Sequence, residues 1–200
     1  MNVLARPLRL TAEEFEALAD GKGLELIDGR VRAKYMGSES ATINALIVHH
    51  LLLVVRPARL GVVLDSEGMY RCFPNRPDRI RKPDVTFIQQ DRLPGGRVPK
   101  GIIPFRPDIA VEVVSPKDLY DQVDEKVVDY LAAGVPLIWV VSPATRTVLV
   151  YQPDGAVRRL TEPDALTADP VIPGFRVTVA DLFPYPLDPA EPESEPAAGP

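Results

Sequence analysis

Residues 107–141, PDIAVEVVSPKDLYDQVDEKVVDYLAAGVPLIWVV, constrain the fold more than any other part of this chain. Residues 108–115 read as a strand, 118–133 as a helix and 136–141 as a second strand. Ser115 has the character of an N-cap, with Pro116 at the first helical position. Gly134 stands just beyond the helix, where glycine commonly ends one. A strand, a helix and a strand of these lengths imply a parallel pair joined by a right-handed crossover.

The flanking segments supply the rest of a sheet. Residues 24–27 and 30–34 form a hairpin across Asp28-Gly29, a strong short hairpin signal. Thr11 and Glu14 have capping-box spacing ahead of a short helix over residues 11–19. Residues 38–55 read as a second, largely buried helix ended near Pro57. Strands are expected at 61–64, 69–73 and 84–89, and residues 94–107, rich in Pro and Gly, as loop. A second hairpin pairs 147–152 with 156–160 around Pro153-Asp-Gly155. The domain is expected to span residues 1–183. A Pro-, Ala- and Glu-rich tail over 184–200 has the composition of a disordered segment.

Two hundred residues with 46% hydrophobic and 26% charged composition suit one globular domain. One cysteine, Cys72, excludes an internal disulfide framework and fits a reducing compartment, so a cytoplasmic location is expected. The longest apolar run, residues 43–55, is broken by His49 and His50 and reads as too short to cross a bilayer, so no membrane partner is expected. The net charge of −5 owes much to four tail acids, Asp188, Glu191, Glu193 and Glu195. Between Arg71 and Arg106 there are nine Lys or Arg and three Asp, a basic stretch around Asp84. It fits either phosphate attraction or a solvated arginine-rich loop.

The chemistry gathers on three side chains. Alternation along residues 108–115 puts Ile109, Val111 and Val113 on one face and Ala110, Glu112 and Val114 on the other. Glu112 is therefore an acid among aliphatics on a strand that looks central, and burying it unpaired is costly. On the following helix, Leu119, Val123, Val127, Tyr130 and Leu131 form the apolar stripe. At about 100° per residue, Lys126 falls roughly 20° from Leu119, on the border of that stripe. There it either snorkels over the edge of the core or pairs with a carboxylate on the strand beneath. Asp84 opens its strand after Pro83. Pro107-Asp108 repeats that dipeptide, so Pro-Asp alone is only a turn signal. The ordered set Asp84, Glu112, Lys126 is what counts, because two carboxylates and a lysine can hold a divalent cation and polarise a phosphate ester.

These residues resemble the PD-(D/E)XK nuclease superfamily and, more closely, the Uma family of putative restriction endonucleases in bacteria. The stretches that carry the likeness are LELIDGRV, RKPDVTFI, PDIAVEVVSP, EKVVDYLAAGVPLIWVV, TVLVYQPDG, and VIPGF followed by VADLF. The resemblance implies an α/β (α+β mixed sheet) fold: a restriction endonuclease-like core with a central mixed β-sheet flanked by helices. It makes Asp84 the metal-binding aspartate and Glu112 the acid of the D/E-x-K motif. Val114 stands where that motif has lysine, and the lysine role passes to Lys126 on the adjoining helix. Glu25, in LELIDG, resembles a further acid of such sites, with simple hairpin charge as its alternative. Many relatives carry a histidine near the start of the second helix, where this chain has Ser38, Glu39, Ser40 and Thr42.

The implied activity is metal-dependent hydrolysis of DNA. Asp84, Glu112 and a backbone carbonyl near Val113 would hold Mg²⁺ or Mn²⁺, and Lys126 would orient water or neutralise charge. The rival readings are a non-cleaving DNA-binding module on the same scaffold and an assembly protein, with a homodimer admitted by either. No zinc cluster and no glycine-rich phosphate loop is evident.

Overall fold

The computed structural model describes residues 9–18, 23–34 and 37–185. The expected tail lies outside the described residues from 186 onward, as does Ala19 at the end of the first expected helix.

The elements follow in the order α1 (Ala12–Ala17), β1 (Leu24–Ile27), β2 (Arg30–Ala33), α2 (Ser38–Ala58), β3 (Gly61–Leu64), β4 (Val85–Gln89), β5 (Ile109–Val113), α3 (Tyr120–Ala132), β6 (Leu137–Ser142), β7 (Thr147–Tyr151), β8 (Val157–Leu160), β9 (Ala165–Thr167) and β10 (Arg176–Thr178). Six strands form one sheet in the order β3-β4-β5-β6-β7-β8. β5 and β6 pair in parallel and the other neighbours in that sheet antiparallel, so the sheet is mixed. The fold is therefore α/β with a mixed sheet between helices.

Side-chain alternation sorts the two faces. Ile109, Val111 and Val113 of β5, with Trp139 and Val141 of β6, pack beneath α2 through Ile43, Ile47, Leu51 and Val55. These four recur every four residues, the stripe by which a helix covers a sheet, and burying each contributes about 1.5–3 kcal/mol. Ala110, Ile138 and Val140 face the opposite way, against Val127 and Tyr130 of α3. Trp139 stacks on Phe175 at 5.7 Å between ring centroids. Both faces of the apolar strand β6 are thus covered from within the chain.

Several sequence expectations need correction. Residues 69–73 form no strand: Tyr70 makes single bridges to Arg81 and Ile103. Pro74, Pro77 and Pro83 follow closely and lack the amides a longer ladder needs. Helix α2 runs through Pro57 to Ala58, and Arg59 ends it in the left-handed region at φ 51°. The helix has 21 residues, and an 18-residue window of it has a mean hydropathy of 1.4, so by length and composition alone it is long and apolar enough to cross a membrane, as a core helix also can be. In this fold its buried stripe lies on the sheet. Ser115 is not the N-cap of α3. Its amide donates to Asp118 Oδ2 at 2.7 Å and its carbonyl accepts from the Asp118 amide at 2.9 Å. This closed turn competes with helix formation and delays the first helical residue to Tyr120. The short β9–β10 pair was not expected, nor was the single 3₁₀ turn, Pro94–Gly96, inside the loop of residues 94–107.

The hairpin β1–β2 stands apart from the main sheet and is tied to the segment before β4 at Leu26, whose amide and carbonyl both bond Ile80. Asp28 and Gly29, at φ 49° and 80°, make its turn. That turn type needs positive φ at both central residues, which Asp-Gly tolerates. The junction brings the hairpin alongside the segment that leads into β4.

Candidate active site

Asp84 immediately precedes β4, and its backbone amide donates to Val111 O at 2.8 Å. Its side chain reaches across to the end of β5. Asp84 Oδ2 accepts the Val113 amide at 2.6 Å, and Oδ1 lies 2.7 Å from Lys34 Nζ. Lys34 follows β2 and also donates to the Lys82 carbonyl. One aspartate therefore fastens the hairpin, the segment before β4 and the end of β5.

Glu112 lies on the α3 side of β5, as alternation requires. Its Oε2 is 2.7 Å from Lys126 Nζ, and its Oε1 accepts a 2.5 Å hydrogen bond from the Tyr130 hydroxyl. Lys126 and Tyr130 are four residues apart and so share one face of α3. Of the two roles open to Lys126 in the sequence, the fold gives it the carboxylate partner. Burial pushes the Glu112 carboxyl above the usual range and the Asp84 charge adds to this, while Lys126 opposes it. For Lys126, burial alone would lower its pKa. The carboxylates of Glu112, Glu25 and Asp84 outweigh burial and hold it well above the ordinary lysine range.

Glu25 is buried and turned inward. Its Oε1 accepts the Lys82 amide at 2.9 Å, and its Oε2 lies 3.4 Å from Arg81 Nη1. It is no solvated hairpin charge. Glu25, Lys34, Asp84, Glu112, Val113 and Lys126 all line one cleft of about 320 Å³, with Gln122 and Lys117 further along its wall. The fold thus brings together the three acids and one amine singled out from the sequence, and Val113 with them. His49 and His50 lie elsewhere: His49 is exposed, and His50 Nε2 is 3.4 Å from the Asp181 carbonyl. Ser40, near the start of α2 where relatives carry histidine, is buried and bonds Ser115 Oγ at 3.1 Å.

Two residues that hold the site's carboxylates, Lys34 on the cleft wall and Tyr130 buried behind Glu112, escaped sequence reading. Tyr130 was placed only on the apolar stripe, though a buried tyrosine hydroxyl requires a partner and the acid on the strand beneath was the available one. Lys34 carried no local signal, since its partner lies 50 residues away and meets it only through the hairpin junction.

Most basic side chains of residues 71–106 pair with acids of this chain, while Arg97 and Lys100 are exposed. Two of the arginines are buried counter-ions. Arg79 and Arg81 are buried against Asp129 of α3, with Arg79 Nη1 at 2.6 Å from Asp129 Oδ1 and Arg81 Nε at 2.7 Å from Oδ2. Arg79 also pairs with Asp28 in the hairpin turn at 2.7 Å. Arg92 and Arg106 hold Asp108 at 2.6 and 3.0 Å, at the opposite end of β5 from Glu112. Arg71 pairs with Glu13, and Lys82 with Glu67. These pairs lock the hairpin, the proline-rich segment and α3 around the cleft.

The donor set suits a hard divalent cation. Carboxylate residues line the cleft beside Val113, without cysteine, methionine or histidine, the preference of Mg²⁺ or Mn²⁺ rather than zinc. Among the described residues no three His, Cys, Asp or Glu side chains already stand gathered as a metal cluster. Instead each of Asp84 and Glu112 spends one oxygen on an ammonium, which a divalent cation could replace.

A crystal structure of a putative nuclease belonging to DUF820 from Anabaena variabilis is similar to this chain, with TM-score 0.73 and 26% sequence identity over 87% of this chain and 97% of that one. No match was found among curated proteins. The profile of the family described as Uma2, putative restriction endonuclease, matches residues 12–180, an interval that holds every residue of the cleft. This chain belongs to the Uma2 family.

Proposed function

We propose that this protein is a metal-dependent endonuclease that hydrolyses DNA phosphodiester bonds in the cleft between β5 and α3. The observation that carries this reading is the meeting of Asp84, Glu112 and Lys126, from three separate elements, around one open cleft. Membership of a family described as putative restriction endonucleases, and likeness to a structure titled a putative nuclease, support it.

In the reaction, Asp84, Glu112 and the Val113 carbonyl would hold Mg²⁺ or Mn²⁺. When bound, such an ion supplies Lewis acidity toward the phosphate and a water of lowered pKa. The Val113 amide fixes one Asp84 oxygen, which leaves the other to turn into the cleft. Tyr130 pins Glu112 in the same way from the far side. Lys126 stays protonated among its carboxylates. It therefore neutralises developing negative charge or orients the attacking water as a donor, and does not act as the base. Glu25 holds the Lys82 backbone and so positions the Pro83-Asp84 step.

Supercoiled and linear DNA incubated with Mg²⁺ or Mn²⁺ tests the proposal. Cleavage is expected from the wild type and should fall at least about a hundredfold in E112A and K126A, the scale of losing a group that acts on the transition state. Activity unchanged in both variants would sink it. A second reading, a DNA-binding module that does not cut, draws on the complete pairing of the Asp84 and Glu112 oxygens with protein donors. It predicts salt-dependent DNA association with no nicking under either metal.

A further inference from the structure

Resting on the metal-site reading above, we infer that Lys34 is a second, mobile cation of the cleft. It occupies the metal-facing oxygen of Asp84 until a divalent ion arrives, then turns to a DNA phosphate. Asp84 has two carboxylate oxygens. The Val113 amide, fixed by the sheet, holds Oδ2 at 2.6 Å. Only Oδ1 is then available to turn toward a cation, and the Lys34 ammonium sits on it at 2.7 Å. Both side chains are more than nine-tenths buried, at 9% and 7% exposure, so the pair lies inside the cleft wall and not on the outer surface.

An ammonium and a divalent cation cannot share that oxygen at close range without strong repulsion. The ammonium must leave when the metal enters. Lys34 has the means to do so. Its carbon stem has several rotatable bonds, and its backbone just beyond β2 need not move. It also lines the same 320 Å³ cleft that a scissile phosphate would enter, beside Arg32 and Lys117. A phosphate oxygen there would replace the carboxylate it gives up. Lys126 differs in its setting. It is held on helix α3, with Glu112 Oε2 at 2.7 Å. Lys34 stands just beyond β2, with Asp84 Oδ1 and the Lys82 carbonyl as its partners.

The role is a positioning one, tested by two readouts. The first is Mn²⁺ binding without DNA, followed by calorimetry for wild type, K34M and K34R. The second is binding of a fluorescein-labelled duplex in Ca²⁺, followed by anisotropy. Removing the resident ammonium should tighten Mn²⁺ binding by about tenfold in K34M and weaken duplex binding by a similar factor. K34R, which keeps the charge, should stay near wild type in both. K34Q replaces K34M if the latter does not fold. A purely structural lysine would instead leave Mn²⁺ affinity unchanged or lower it, and that result beside a metal-binding wild type overturns the assignment of Lys34 alone. Tighter Mn²⁺ binding with unchanged duplex affinity overturns the phosphate role. No Mn²⁺ binding by wild type or any variant overturns the metal site itself, and this inference with it.

Discussion

Lys126 Nζ and Glu112 Oε2 lie 2.7 Å apart across the α3–β5 interface, nearly sealed from water. Such a pair is strongly coupled, because removing one partner leaves the other as an uncompensated buried charge. K126M should therefore cost about 3–5 kcal/mol in urea unfolding, and E112Q a similar amount. The double variant E112Q/K126M should be markedly less destabilised than the sum of the two. Simple additivity in a double-mutant cycle would mean that the pair is not energetically coupled.

Tyr130 bears on the same acid from its other oxygen. Burial already pushes the Glu112 carboxyl upward. A donor to the carboxylate favours its charged form, so deleting the hydroxyl should raise the pKa further. Metal binding needs the carboxylate, and it should decline on acidification at a pH above the ordinary glutamate value of about 4.3. Mn²⁺ titrations across pH should place this decline higher still in Y130F. A downward shift, or none, would remove Tyr130 from the site.

Asp129 is the hub of the buried arginines. Replacing it by Asn would leave Arg79 and Arg81 inside the protein with their main counter-charge gone. A loss of about 3–5 kcal/mol is expected in D129N, measurable as a lowered urea midpoint. Glu125 also lies 3.2 Å from Arg79 and 3.3 Å from Arg81, and a midpoint close to wild type would show that it, Asp28 and Glu25 suffice for these arginines.

The two Pro-Asp dipeptides should separate in function. Asp108 accepts the Gln89 amide at 2.9 Å and two arginines at the far end of β5. D108N should lower stability by about 1–3 kcal/mol yet leave cleavage per folded molecule near wild type. D84N should abolish Mn²⁺ binding. If D108N removed activity in folded protein, or D84N preserved metal binding, the division would fail.

The local pattern carried much of this fold. The strand–helix–strand unit, both hairpins and the capping box at Thr11 follow from alternation, helical spacing and turn residues, and each stands close to where those signals put it. The segment of residues 69–73 misled because β-favouring residues cannot form a ladder when prolines crowd the partner side. Ser115 misled because a nearby Asp118 offered its amide a competing acceptor. Within the cleft, Glu112 and Lys126 were readable because 14 residues and one helix separate them. Lys34 was not, since nothing in RVRAK reveals a carboxylate brought in from beyond α2. The pairing of Arg79 and Arg81 was not readable for the same reason: their partner Asp129 lies about 50 residues away.

The hairpin β1–β2 contributes Glu25 and Lys34 yet shares no ladder with the six-stranded sheet. Its ties to the Lys82 step close loops of 57 and 48 residues, against 14 for the Glu112–Lys126 contact. Short closures lose less chain entropy and form sooner. A refolding chain would thus acquire half of its cleft with the crossover unit and complete it only when the hairpin docks, which makes a finished cleft a later event than a finished sheet.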